Sequence, residues 1–154
     1  MNAAALKEYL KREGAALVGV GDITEALSRD ITHLNRGIAL AVNRSLNQDS
    51  IRLLSRLQRI TEKWLRERSF RSLSIPPDSD RIKGKLIAKL YNLFSHKTAA
   101  TCSGLGWIGK NGLIITRRYG SKLSWATVLT NAPLDPDSPV TESLCSSDPR
   151  SPAR

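Results

Sequence analysis

The sequence predicts a layered α+β domain in which helices flank a central sheet of about five strands. Three observations lead there. Residues 48–68 carry the longest helical periodicity in the chain, short apolar runs of strand length stand on either side of it, and the two signals alternate along the sequence.

Residues 2–13 set Ala4, Leu6 and Leu10 among Lys7, Glu8, Lys11 and Glu13 and stop at Gly14, the pattern of a short amphipathic helix closed by a capping glycine. Ala15 to Val20 is a brief apolar run ended by Gly21-Asp22 and predicts a buried strand. Thr24 to Arg29 predicts a helical turn, and Gly37 to Val42 a second buried strand bounded by Asn43. In the long helix, Ile51, Leu54, Leu57, Ile60, Trp64 and Leu65 form the apolar face. Phe70 to Ile75 alternates apolar and polar residues, predicting a third strand stopped by Pro76-Pro77. The basic stretch Asp78 to Phe94 mixes loop with a helix over Lys85 to Tyr91, and Ser95 is placed to cap a helix from His96 to about Ser103. Leu113 to Thr116 and Leu123 to Thr130 predict two more strands. The chain thus divides into an α/β domain over 1–132 and a tail over 133–154, rich in Pro, Ser and Asp and read as extended or disordered.

Composition removes several function classes. No apolar run approaches the roughly 20 residues of a membrane span, and the N-terminus lacks a signal peptide's uninterrupted apolar stretch. A cytoplasmic location without membrane attachment is expected. Cys102 and Cys145 are too few for a disulfide scaffold and in that compartment are expected to stay reduced. With only His33 and His96 beside them, they build no autonomous metal site. The formal charge of +10 has two readings: attraction of a polyanion such as nucleic acid, or solubility balanced by an acidic part beyond this sequence. Arg52, Arg56, Arg59, Lys63 and Arg66 recur at spacings of four, three, four and three, which aligns five cations in one helical stripe. That stripe is either a phosphate-contacting ridge of a nucleic-acid site or a solvated helix face.

The densest motif is Gly104-Leu105-Gly106-Trp107-Ile108-Gly109-Lys110-Asn111. Gly104, Gly106 and Gly109 satisfy the dinucleotide fingerprint letter by letter, but that fingerprint needs a strand before it and a helix after it, and here the order is reversed. Gly104, Gly109 and Lys110 approach a phosphate-binding P-loop, yet Asn111 stands where a Ser or Thr would hold magnesium. What remains is a loop whose glycines allow a ligand close to the backbone, with Trp107 to cover a flat ring and Lys110 to meet a phosphate or amide edge. The competing reading is a tight helix-to-strand turn with Trp107 packed in the core.

The blocks Ser95-His96-Lys97-Thr98-Ala99-Ala100, Gly104 to Asn111, Tyr119-Gly120-Ser121 and Val128-Leu129-Thr130-Asn131-Ala132-Pro133-Leu134 stand in one order and spacing. Together they resemble the N-terminal half of epoxyqueuosine reductase and its double-cluster iron–sulfur relatives, densely over residues 95–145 and weakly before them. The resemblance implies a cobalamin-binding domain, similar in fold to the nitroreductase-like corrinoid domains of reductive dehalogenases. It also implies a following ferredoxin-like domain with two [4Fe–4S] clusters, and a modified tRNA anticodon base as substrate. Cofactor contacts would fall on Lys97, Gly104, Gly106, Trp107, Gly109, Lys110 and Asn111, with the cofactor performing the redox chemistry and the protein orienting it.

Two departures bear on this. The family carries its proton-donating aspartate in an Asp-Pro-Glu-Arg stretch before the glycine loop, whereas residues 93–98 read Leu-Phe-Ser-His-Lys-Thr, without a carboxylate. His96 is the candidate catalytic acid in its place, and its other reading is a residue that caps or orients the loop. Cys145 matches the first cluster ligand, but Ser146-Ser147-Asp148-Pro149-Arg150 follows instead of closely spaced cysteines, so Cys145 could hold metal only with ligands from elsewhere and no [4Fe–4S] cluster is expected in this chain. Cys102 reads as a small buried helix residue.

The leading expectation is therefore a corrinoid-binding oxidoreductase domain, cut before its cluster domain and not competent alone, with tRNA and a ferredoxin-like electron donor as partners. The alternatives are a non-catalytic basic tRNA-binding module and a degenerate interaction domain that pairs with a second copy as a homodimer.

Overall fold

A computed structural model describes residues 1–24, 33–77, 96–110 and 112–139. The predicted helix at Lys85 to Tyr91, the Ser95 cap, Asn111, Cys145 and all but the first residue of the Thr24 to Arg29 turn lie outside them.

Helix α1 (Ala4–Arg12) buries Leu6 and Leu10. It ends as the sequence predicts: Gly14 takes φ +121°, its N–H donates to Lys11 O at 3.2 Å, and Ala15 N–H donates to Leu10 O at 3.0 Å. These two bonds satisfy carbonyls the helix would otherwise leave open. Helix α2 (Gln48–Arg66) opens with a reciprocal cap, in which Ser50 N–H donates to Asn47 Oδ1 at 2.9 Å and Asn47 N–H donates to Ser50 Oγ at 2.8 Å.

Strands β1 (Leu17–Asp22), β2 (Arg36–Val42), β3 (Ser72–Ile75) and β6 (Ser124–Thr130) form one antiparallel sheet in the order β1-β2-β6-β3. One face packs Val18, Val20, Ile38, Leu40 and Val42 against α1 and α2. The other face packs Ala39, Ile75 and Leu129 against α3 (His96–Cys102). The molecule is thus layered, helix on sheet on helix.

Among the described residues the sheet has four strands, where the sequence predicts about five. The predicted strand at Leu113 to Thr116 supplies only β5 (Ile114–Ile115), which pairs with β4 (Trp107–Ile108) in a separate two-stranded ribbon. Gly109 N–H donates to Leu113 O at 2.8 Å and Gly112 N–H to Gly109 O at 3.0 Å, so the segment closes locally into a hairpin. Closing so short a loop costs less entropy than reaching a distant sheet edge.

The β1 edge is also occupied. Asp137 N–H donates to Val20 O at 2.7 Å, and Val20 N–H donates back to the Asp137 carboxylate at 2.9 Å. Lys7 Nζ holds the same carboxylate at 2.7 Å. Leu134 is fully buried, and Arg36 Nε donates to its carbonyl at 2.9 Å. Residues 133–139, the first part of the predicted tail, therefore run as an extended strap bound to the domain by backbone, ion-pair and apolar contacts.

Candidate functional site

The site is built on the α3 side of the sheet, and small residues put it there. Register pairs Gly19 with Ala39 and Gly21 with Gly37 across β1 and β2. A Cβ at Gly21 would lie 2.8 Å from Cys102 Cβ, and one at Gly19 would lie 2.8 Å from Ser103 Cβ. The absence of side chains along this row lets the end of α3 settle directly on the strands. Cys102, expected as a reduced thiol, is buried there but is disulfide-bonded and not free. Compartment sets only a tendency, whereas pairing depends on which residues the fold brings together.

At the other end of α3, His96 is locked at both ring nitrogens. Nε2 lies 2.8 Å from the Pro76 carbonyl and Nδ1 2.8 Å from Thr127 Oγ1. A carbonyl only accepts, so Nε2 carries a proton and donates to it, while Nδ1 is hydrogen-bonded to the Thr127 hydroxyl. His96 thereby ties α3 to β6 and to the exit of β3.

Beside it opens a cleft of about 310 Å³, lined by His96, Lys97, Leu113, Ile114, Leu123 and Trp125, with Leu46, Pro77, Ser121 and Ser124 completing the wall. Its chemistry is an apolar wall with one half-buried cation and two hydroxyls. Leu113 is left 47% exposed at this cleft, an apolar side chain turned to solvent. Such a surface suits a flat apolar ring with a polar or anionic rim.

The predicted cofactor set does not converge on one point. His96 and Lys97 line this cleft, whereas Gly104 and Trp107 line a second one of about 200 Å³ with Leu17, Leu105, Thr116, Arg117 and Arg118. Gly106 is buried, and a Cβ on it would stand 2.5 Å from the Ile115 carbonyl oxygen. Gly104 has φ +72°, and a Cβ there would collide with the Ser138 carbonyl oxygen of the strap. Both glycines are thus required by the chain's own backbone. Gly109 forms the ribbon turn, Lys110 is exposed, and Trp107 is half-buried in β4 rather than packed in the core.

The cleft residues that sequence reasoning passed over are Leu113, Leu123 and Trp125, together with Thr127, which holds His96. A signal existed: in β6 the odd positions 125, 127 and 129 share one face. The cationic stripe, Arg52, Arg56, Arg59, Lys63 and Arg66, is exposed along α2, across the sheet from this cleft. Among the described residues, no group of three or more His, Cys, Asp or Glu side chains is placed to hold a metal ion, and no helix is long and apolar enough to cross a membrane.

No protein-family model matches the chain. In sequence it is 33% identical over 92 residues to the epoxyqueuosine reductase of Atelocyanobacterium thalassa, covering 60% of this chain and 26% of that protein. It is 43% identical over 53 residues to the epoxyqueuosine reductase of Listeria monocytogenes, covering 34% of this chain and 14% of that one. In structure it matches an epoxyqueuosine reductase solved with an epoxyqueuosine-modified tRNA-Tyr stem loop, with TM-score 0.63 and 18% identity over 89% of this chain and 47% of that chain. A reductive dehalogenase whose structure suggests a mechanism for B12-dependent dehalogenation matches with TM-score 0.57 and 14% identity, over 94% of this chain and 23% of that one. The chain spans about a quarter or less of these curated relatives and about half of the solved reductase. The resemblance to epoxyqueuosine reductase read from the sequence holds over that part, and the mixed helix-and-sheet fold is shared with both groups of enzymes.

Proposed function

We propose that this chain is a cobalamin-binding domain of an epoxyqueuosine-reductase-like oxidoreductase. The observation that carries the reading is the cleft beside α3, open and apolar, set in a fold shared with an epoxyqueuosine reductase and a B12-linked dehalogenase. A corrinoid is much larger than about 310 Å³, so the cleft suits one edge of the ring and not the whole group. The residues fit that limited part. Leu113, Leu123 and Trp125 would offer apolar contact to the group, and Lys97 and Ser121 would offer polar contact to its amides. When bound, the cofactor would supply the metal-centred reducing chemistry.

The chain's own residues hold and orient. His96, committed at both nitrogens, acts as the clamp that fixes the α3 wall, which favours its orienting role over direct proton donation. The substrate in this reading is a modified base of a tRNA stem loop, and electrons come from iron–sulfur clusters on a ferredoxin-like partner, in the cytoplasm.

Titration with hydroxocobalamin, followed by visible absorbance and calorimetry, tests the reading. Saturable binding at one cobalamin per chain is expected, and Trp125→Ala should weaken it about tenfold, the cost of one lost aromatic contact of about 1.4 kcal/mol. No absorbance change and no heat at high cobalamin would refute it. A bulky residue at Gly106 is a poor probe, because the clash with Ile115 would disrupt the ribbon whether or not a ligand binds.

A further inference from the structure

We infer that the exposed face of α2 is a second RNA-contacting surface, one that grips the phosphate backbone. The inference takes from the proposed function only the identity of the partner, a tRNA stem loop. Its footing is the arrangement of charge on the helix. At about 100° per residue, Arg52, Arg56, Arg59, Lys63 and Arg66 fall within an arc of about 80° and extend over about 21 Å of helix axis. All five are exposed.

Local carboxylates do not neutralise the row. Glu13, half-buried, pairs with exposed Arg56 at 2.9 Å, and Glu67 reaches Lys63 at 4.0 Å with both side chains exposed, where such a pair holds weakly. Arg52, Arg59 and Arg66 have no ion-pair partner among the described residues. Four of the five are arginines, whose planar fork matches phosphate oxygens two at a time. The formal charge of +10 adds a long-range field that draws a polyanion to the surface.

A membrane fits this face less well. Leu54, Leu57 and Leu65 point into the core, and Leu53, Ile60 and Trp64 are partly buried against it, so no large apolar side chain of α2 stands exposed beside the row to anchor a lipid interface. Because α2 and the cleft lie on opposite faces of the sheet, the row adds RNA affinity without touching whatever the cleft holds.

The test measures binding of a fluorescein-labelled tRNA anticodon stem loop by anisotropy across a salt series. Two variants of the whole chain are compared with the parent, R52Q/R59Q/R66Q and R52K/R59K/R66K. The glutamine variant should lose at least tenfold in affinity near 0.1 M salt, and its slope of log K against log salt should fall by about two to three. The lysine variant should keep most of that slope, since it keeps the charge. Thermal melts that match the parent establish that both variants are folded. Parent-like binding by the glutamine variant overturns the inference, as does an equal loss in both variants. Preference of the parent for phosphatidylglycerol vesicles over the stem loop overturns it too. Cobalamin titration of the same variants should match the parent. A parent that binds no cobalamin but keeps the salt-dependent contrast supports the ridge and rejects the cofactor reading alone.

Discussion

The two faces of the central sheet are packed by opposite means. Towards α1 and α2 the strands present Val18, Val20, Ile38, Leu40 and Val42, which interleave with Leu6, Leu10, Leu54, Leu57 and Leu65. Towards α3 the same two strands present Gly19, Gly21, Gly37 and Ala39, and the helix answers with Ala99 and Cys102. The first face fills volume, and its stability comes from buried apolar area. The second face achieves close approach, which leaves little to bury but fixes where α3, and with it His96 and Lys97, must sit. A domain built this way separates the layer that keeps it folded from the layer that shapes its cleft.

The strongest way to break this contrast is to put a side chain into the close-packed face. Gly21→Val would drive its Cβ against Cys102 Cβ at 2.8 Å and against backbone atoms of Cys102 and Ser103 at 3.0 Å. None of these is the free end of a flexible side chain, so relief requires moving α3. We expect a loss of about 4 kcal/mol or more in urea unfolding, above the usual cost of overpacking. Cobalamin binding should vanish even under conditions where the chain stays folded. A variant with parent-like stability would mean that α3 does not rest on β1 as described.

The matching change on the volume-filling face should be smaller and differently distributed. Leu54 is fully buried between α2 and the sheet. Leu54→Ala removes apolar contacts and leaves a cavity, at a cost of about 3 kcal/mol. Below its lowered melting temperature this variant should keep the cleft and its ligand affinity, since nothing on the α3 side has changed. Equal damage to the cleft from both substitutions would show that the two faces are not separable.

The same division explains what could be read from the sequence. The volume-filling face writes itself as periodicity: the row from Ile51 to Leu65 announces α2, and the runs at Leu17 and Gly37 announce β1 and β2. Gly14 is legible as a helix stop because its role is local. The close-packed face leaves no such trace, since a glycine in a strand signals only that something comes near. Gln58 shows the same limit. It falls on the same face of α2 as Ile51, Leu54 and Leu65, so its burial is readable, but nothing local says that it donates to Ile75 O at 2.7 Å and Thr127 O at 3.0 Å, joining β3 and β6. The glycine loop is legible as a place of close approach, but not what approaches: at Gly104 and Gly106 it is Ser138 and Ile115. The Ser138 contact and the Gln58 bridges join residues distant along the chain, and no local pattern encodes them.

The smallest expected effect lies at the end of β1, outside both packed faces. Asp22 is exposed, and its carboxyl is held below the ordinary value of 3.8, chiefly because the Thr24 hydroxyl donates to it at 2.5 Å. Partial burial opposes that shift, while the Thr24 N–H at 3.1 Å and Arg36 at 3.5 Å add to it. A carboxyl with a depressed folded-state pKa contributes stability that is present above its unfolded value and fades as pH falls through the folded one. The advantage of the parent over Asp22→Asn should therefore be constant near neutral pH and shrink below 3.8. Solvent screening of so exposed a group limits it to less than about 0.5 kcal/mol. Melting temperatures of the two proteins measured between neutral and strongly acidic pH check this. A pH-independent gap would mean that the bonds around Asp22 do not discriminate its charged form. A gap as large as that from Leu54→Ala would mean that strand ends, and not sheet faces, carry the fold.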